Sequence, residues 1–229
     1  MTFASLIPLL LKASITLSVL AIGLKATPPD LIYLLRRPRE LFPVLLSMNV
    51  VMPVVAVVLC LIFDLNPAVK IALVALSVSP VPPILPKKEI KAGGTEEYSI
   101  GLLVAAALLS IFFVPATLEV FHVISGIPMQ MSASQIAMLV LPSVLAPLLF
   151  GIGIRYLFPS FGDRAAKPIS LIGSLVLVIC VLPILFTAIR SILALVGDGT
   201  LIALALFAII GLITGHGLGS RWDFYDGIQ

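Results

Sequence analysis

Polar residues interrupt this chain only briefly. Apolar runs fall at about 4–25, 41–63, 66–86, 98–121, 135–157, 168–190 and 200–220. Each is continuous rather than alternating, so each predicts a helix apolar on every side instead of an amphipathic one. A helix rises ~1.5 Å per residue, so runs of this length reach across a hydrocarbon layer of ~30 Å. A bilayer-spanning strand would alternate apolar and polar positions, which excludes a β-barrel. The pattern predicts an all-α, polytopic membrane protein of about seven transmembrane helices. Residues 1–220 read as a single transmembrane domain, with 221–229 a short divergent tail.

Composition sharpens this picture. Of 229 residues, 60% are hydrophobic and 11% charged, about half the charge of an ordinary soluble domain. A water-soluble fold cannot hide that much apolar surface, and a disordered chain does not carry it. The first run lacks a basic start and carries Lys12, unlike a cleaved signal peptide. Cys60 and Cys180 each lie within an apolar run and read as small buried hydrophobes.

Charge then sets an expected orientation. With the N-terminus outside and the runs alternating, eleven of the fourteen Lys and Arg residues fall on the inner side, Lys25, Arg155, Arg164 and Lys167 among them. Lys12, Lys70 and Arg190 fall to the outer half. The positive-inside rule therefore predicts an outside N-terminus and a cytoplasmic C-terminus. Residues 28–39, Pro-Pro-Asp-Leu-Ile-Tyr-Leu-Leu-Arg-Arg-Pro-Arg, read either as a short interfacial helix or as a basic loop.

Candidate chemistry centres on the third run. From Ser79 the chain reads Ser-Pro-Val-Pro-Pro-Ile-Leu-Pro-Lys-Lys, with Pro80, Pro82, Pro83 and Pro86 followed by Lys87 and Lys88. Each proline removes a backbone donor and clashes with the preceding turn, so no regular helix continues through them. Unwound backbone at membrane depth is tolerated only beside protein or a water-filled hollow, and interrupted spans mark transporter binding sites. The expectation is a proline-broken helix lining a substrate path, the alternative a helix that ends at Ser79 before a cytoplasmic loop. Lys87 and Lys88 at the start of a half-helix would attract an anion; otherwise they mark the inner side. Lys12 lies ~12 Å into the first run, as a site residue or as a stem reaching the headgroups. Asn49, beside Met52-Pro53, is an amide that needs a partner in lipid, as helix glue or as a site residue. Gly101, Gly151 and Gly153 suit close helix packing.

Enzyme signatures are missing from the sequence. Neither His-Glu-x-x-His nor Gly-x-Ser-x-Gly occurs, and the two histidines, His122 and His216, are far apart. A seven-helix receptor shares the topology, but the seventh run has no lysine for a retinal Schiff base. Neither a nucleic-acid nor a protein partner is implied, and no organic cofactor is called for.

The order Ala21-Ile22-Gly23-Leu24-Lys25, Arg36-Arg37-Pro38-Arg39, Asn49-Val50-Val51-Met52-Pro53, Ser79–Pro86 and Gly93-Gly94 resembles the bile acid:sodium symporter family, over residues 1 to about 219. The resemblance implies a core domain with two crossing discontinuous helices, a panel domain, inverted repeats, and symport of a small organic anion by alternating access, usually with sodium. Ser99 matches a family serine that offers an oxygen to sodium. Departures stand beside the match: Val81 and Pro82 replace the family's glycines, Leu85 and Pro86 its Ser-Asn pair, Met48 its glutamine and Leu103 its threonine. The second crossing helix should follow the seventh run, where residues 221–229 differ from the family, so the chain reads as an incomplete member.

Overall fold

The computed structural model describes residues 3–79, 95–126, 131–197 and 199–226; side chains are described except at 3–5, 216 and 218–226. Among the described residues every regular element is a helix. These are α1 (Phe3–Gly23), α2 (Pro28–Ile32), α3 (Pro38–Ile62), α4 (Pro67–Ser77), α5 (Glu96–Ser125), α6 (Ala133–Leu157), α7 (Pro159–Ala194) and α8 (Thr200–Asp226). Five of them (α1, α3, α5, α6 and α7) are long and apolar enough to cross a membrane. The two other expected spans contain shorter apolar helices, Pro67–Ser77 and Thr200–Gly215. The all-helical, polytopic expectation therefore holds, and among the described residues five of the seven runs form helices of full crossing length.

Local sequence explains where helices start and stop. α1 closes after Gly23 because Pro28 and Pro29 cannot continue it. The same prolines open α2, where the Thr27 N–H donates to Asp30 Oδ2 at 2.6 Å. Part of the 28–39 segment is thus a short helix, with Leu34 fully buried and Leu35 exposed. Asn66 caps α4 by accepting from the Ala68 N–H at 2.9 Å, with Pro67 at the first helical position. Ser132 and Gln135 form a reciprocal cap on α6, at 2.8 and 3.3 Å. α7 begins at Pro159, nine residues before the apolar run, and carries Pro168 and Pro183 inside it.

Two spans contain a π turn placed alike against a proline. Ser47–Val51 in α3 precedes Pro53, and Leu141–Leu145 in α6 precedes Pro147. Proline has no N–H to donate and its ring crowds the carbonyl four residues back; widening the preceding turn relieves that clash.

The chain divides into two compact units. The first holds α1, α2, α5 as far as Leu108, α6 from Ala137, and α7 as far as Ile189. Within it α1 lies along α6, and their backbones meet at Gly23 and Gly151. A methyl at Gly151 would stand 2.6 Å from the Leu20 carbonyl oxygen. α1 and α6 run in the same direction, since Leu20 and Gly23 approach Gly151 while Arg155 reaches Leu24. α7 runs the opposite way, with Gly162 beside Leu24 and Gly173 beside Ser14. Ser14 Oγ donates to the Gly173 carbonyl at 2.7 Å, a buried bond between spans. Gly101 of α5 lets Leu34 and the Asp30 carbonyl approach closely. Gly153 has open space around it, so the packing expected at that glycine does not form.

The second unit holds α3, α4, the later part of α5, and α8. Its interior includes Ala56, Leu59, Cys60, Leu73, Val74, Phe121 and Ala203. Met52 of α3 touches Gly211 of α8, and Phe63 closes over Gly199, whose φ is +83°. Both cysteines are buried free thiols, as their apolar surroundings predict.

Candidate functional site

The residues singled out in the sequence fall in different places. Pro80, Pro82, Pro83, Lys87 and Lys88 lie outside the described residues. What the structure describes is the helix leading to them. α4 ends at Ser77, after 11 residues or ~16 Å, well short of a full crossing. Ser77 Oγ folds back onto the Val74 carbonyl at 2.7 Å, and the Val78 N–H also donates to Val74, at 3.1 Å. These bonds satisfy one of the carbonyls that a helix end leaves open. Ser79 then stands exposed, its N–H 3.4 Å from the Leu76 carbonyl.

Lys12 lies on the exposed side of α1, while Ser14 and Ser18 beyond it are buried. The Lys12 carbonyl accepts from Thr16 Oγ1 at 2.9 Å. A lysine so placed faces the medium around the first unit, the position from which a long stem reaches headgroups.

Ser99 is the site residue whose setting is most unusual. It lies in the first turn of α5 and is 0% exposed. Its backbone N–H is paired, donating to Thr95 at 3.2 Å. Its Oγ makes no hydrogen bond and is the buried side-chain oxygen in that condition among the described residues. Leaving a buried hydroxyl unpaired costs ~1–3 kcal/mol, and such groups in a folded protein call for an explanation. Around it Ile100, Leu102 and Leu103 are buried and apolar, offering no alternative partner from their side chains.

Asn49 lies within the π turn of α3 and is half-buried. It lines a groove of about 360 Å³ in the second unit, with Pro53, Val54 and Val57 on one wall and Ala116, Thr117 and Val120 on the other. The groove is apolar except for Asn49 and Thr117. Pro53 donates no hydrogen bond, so a backbone acceptor of the widened turn lacks its helical donor beside them. Thr117 escapes a reading of the sequence alone, because a threonine within a 30-residue apolar helix carries no spacing signal. Only the approach of α5 to α3 pairs it with Asn49.

No group of three or more His, Cys, Asp or Glu residues suited to a transition metal occurs among the described residues. An oxygen site for a hard monovalent cation needs no such cluster; hydroxyls and backbone carbonyls serve.

A model of the Sodium Bile acid symporter family matches residues 13–195, which include the second half of α1 and all of α2 to α7. Among curated proteins none matches.

Proposed function

We propose that this chain, which belongs to the sodium bile acid symporter family, carries a small amphipathic organic anion across the bilayer by alternating access, drawing on a sodium gradient. Members of that family are membrane transporters rather than enzymes, and the apolar spans fit that setting. The receptor and intramembrane-enzyme alternatives find no support in the family match.

The observation that carries the sodium part is the buried, unpaired Ser99 hydroxyl. A sodium ion is a hard cation bound by several oxygens. A hydroxyl kept out of water with no protein partner is a free ligand, and its cost is offset when a cation occupies the place of the missing donor. For the substrate part, α4 ends after half a span, immediately before the proline-dense segment. Interrupted spans of this kind border binding sites in secondary transporters. In this reading Ser79, Pro80, Pro82 and Pro83 line the anion path, Lys87 or Lys88 attracts the anion, and Asn49 contributes from α3.

The test is uptake of a radiolabelled bile acid into proteoliposomes containing the full chain, under an inward sodium gradient or a matched choline gradient. Sodium should stimulate uptake. Ser99→Ala should raise the sodium concentration giving half-maximal uptake by roughly tenfold, the weight of one lost charge-assisted contact. K87Q/K88Q should raise the KM for the anion while leaving sodium dependence in place. Equal uptake in choline rejects sodium coupling, and an unchanged KM in the lysine variant rejects their role.

A further inference from the structure

In the first unit, where the C-terminal ends of α1 and α6 meet the start of α7, lies a cavity of about 220 Å³ bordered by Thr27, Pro28, Ile152, Arg155, Tyr156 and Pro159. Arg155 dominates its chemistry. Nη1 of its guanidinium donates to the Leu24 carbonyl at 3.3 Å and to the Lys25 carbonyl, the open acceptors at the end of α1. The same nitrogen lies 3.7 Å from Asp163 Oδ1. All three contacts use one corner of the fork. Nε and Nη2 have no partner among the described residues, and the side chain is 31% exposed.

A guanidinium held by one corner is a preorganised group with a free two-donor edge. That edge matches two oxygens of a phosphate, and holding it in place beforehand reduces the ordering cost of binding. The surroundings favour an anion. Lys25 shares this end of the unit, and Arg164 and Lys167 follow within two turns of Gly162, which sits beside Leu24. Two carboxylates oppose them: Asp163, and Asp30, which is already engaged with the Thr27 N–H. Cations exceed carboxylates, so a headgroup carrying its own ammonium would meet repulsion that a purely anionic one would not. Pro159 also opens the 36-residue α7, whose first turn adds partial positive charge.

The cavity is also bordered by the type of surface that acyl chains contact. Tyr156 is 78% exposed, and Leu157, Phe158 and Phe161 are exposed as well. Aromatic residues at the ends of apolar spans sit at headgroup depth, and basic pockets between spans hold anionic lipid heads.

We propose that this cavity is a binding site for the phosphate of an anionic glycerophospholipid, gripped by the Nε–Nη2 edge of Arg155, with the acyl chains lying along the exposed side of α6. The occupant fastens α1, α6 and α7 together where the Arg155 bonds already join α1 and α6. This proposal does not depend on the transport reading.

The experiment uses the purified full chain in detergent with equimolar phosphatidylglycerol and phosphatidylcholine, bound lipid being counted by native mass spectrometry. The wild type should retain phosphatidylglycerol about five- to thirtyfold over phosphatidylcholine, the weight of one to two cations near a headgroup. Arg155→Gln should bring the ratio close to one. Arg155→Lys keeps a charge that reaches the α1 carbonyls but lacks the second nitrogen; it should stay folded and lose most of the preference. Replacing both Arg164 and Lys167 by Gln should leave most of it. A wild type with no preference, or an Arg155→Lys variant equal to wild type, overturns the site. Loss in the Arg164/Lys167 variant but not at Arg155 shows diffuse surface charge instead and also overturns it. Displacement of the lipid by glycerol 1-phosphate at matched concentration would identify a soluble anion as the occupant and defeat the lipid assignment.

Discussion

Gly151→Ala perturbs the first unit where the backbones of α1 and α6 approach closely. The added methyl would meet the Leu20 carbonyl oxygen at 2.6 Å and the backbone of Gly23 and Leu24 at 2.8 Å. None of these is the end of a flexible side chain, so relief requires α1 and α6 to separate. Ordinary carbon–oxygen contact lies roughly 0.7 Å farther out, and a radial gap of that size forfeits a quarter to a half of each neighbouring dispersion contact. Overpacking of this kind costs about 1–3 kcal/mol. The control lies two residues on. Gly153→Ala places its methyl in open space, and an alanine there favours the helix by roughly 0.5–1 kcal/mol. For a chain of this length about 1 kcal/mol moves the melting temperature by roughly 2–4 °C. Gly151→Ala should therefore melt about 2–12 °C below wild type, and Gly153→Ala at or slightly above it, by fluorescence-detected size exclusion after heating in one detergent. Gly23→Ala, on the other side of the contact, should combine with Gly151→Ala less than additively, because one separation relieves both. Equal melting of the two single variants at 151 and 153 would refute the reasoning.

Three further outcomes follow from single contacts. Ser14→Ala deletes the 2.7 Å bond to the Gly173 carbonyl and should lower stability by about 0.6 kcal/mol, near the average for such bonds between spans, read as a melting shift of a degree or two. Asp30→Ala removes the acceptor of the Thr27 N–H and should cost roughly 1 kcal/mol, seen as faster proteolysis between α1 and α3, whereas Asp30→Asn should lose less. Gly199→Ala must hold φ at +83° with its methyl 2.5 Å from Phe63 Cδ1; a loss of about 1–3 kcal/mol is expected, and Phe63→Ala should restore part of it.

Much of the scaffold was legible along the chain because its causes are local. Proline and capping residues stop and start helices within four positions, which is why Thr27-Pro28-Pro29-Asp30 and Asn66-Pro67 mark boundaries so clearly. The site was legible in part. The family resemblance pointed to Ser99, while the missing partner of its hydroxyl depends on everything packed around it. Asn49 stood out as an amide in lipid, but its groove depends on α5, more than sixty residues away. Lys12 looked deep by position alone; which side of α1 is exposed is decided by the helices that cover the other side.

Taken alone, the amino-acid order determined that this protein lives in lipid, that its spans are helices rather than strands, and where several of those helices start and stop. Those properties follow from the burial cost of peptide groups and from the conformational limits of proline. The tertiary structure decided what repeated local letters mean. Gly151 and Gly153 read alike in Gly-Ile-Gly, yet a methyl at one would strike the backbone of α1 and a methyl at the other would enter open space. Arg155 reads as one more basic residue at a helix end, yet a single corner of it closes α1 from 131 positions away. A helix turns 100° per residue, so two neighbours in sequence look out on different surroundings, and what stands there depends on which distant segment packs against each face.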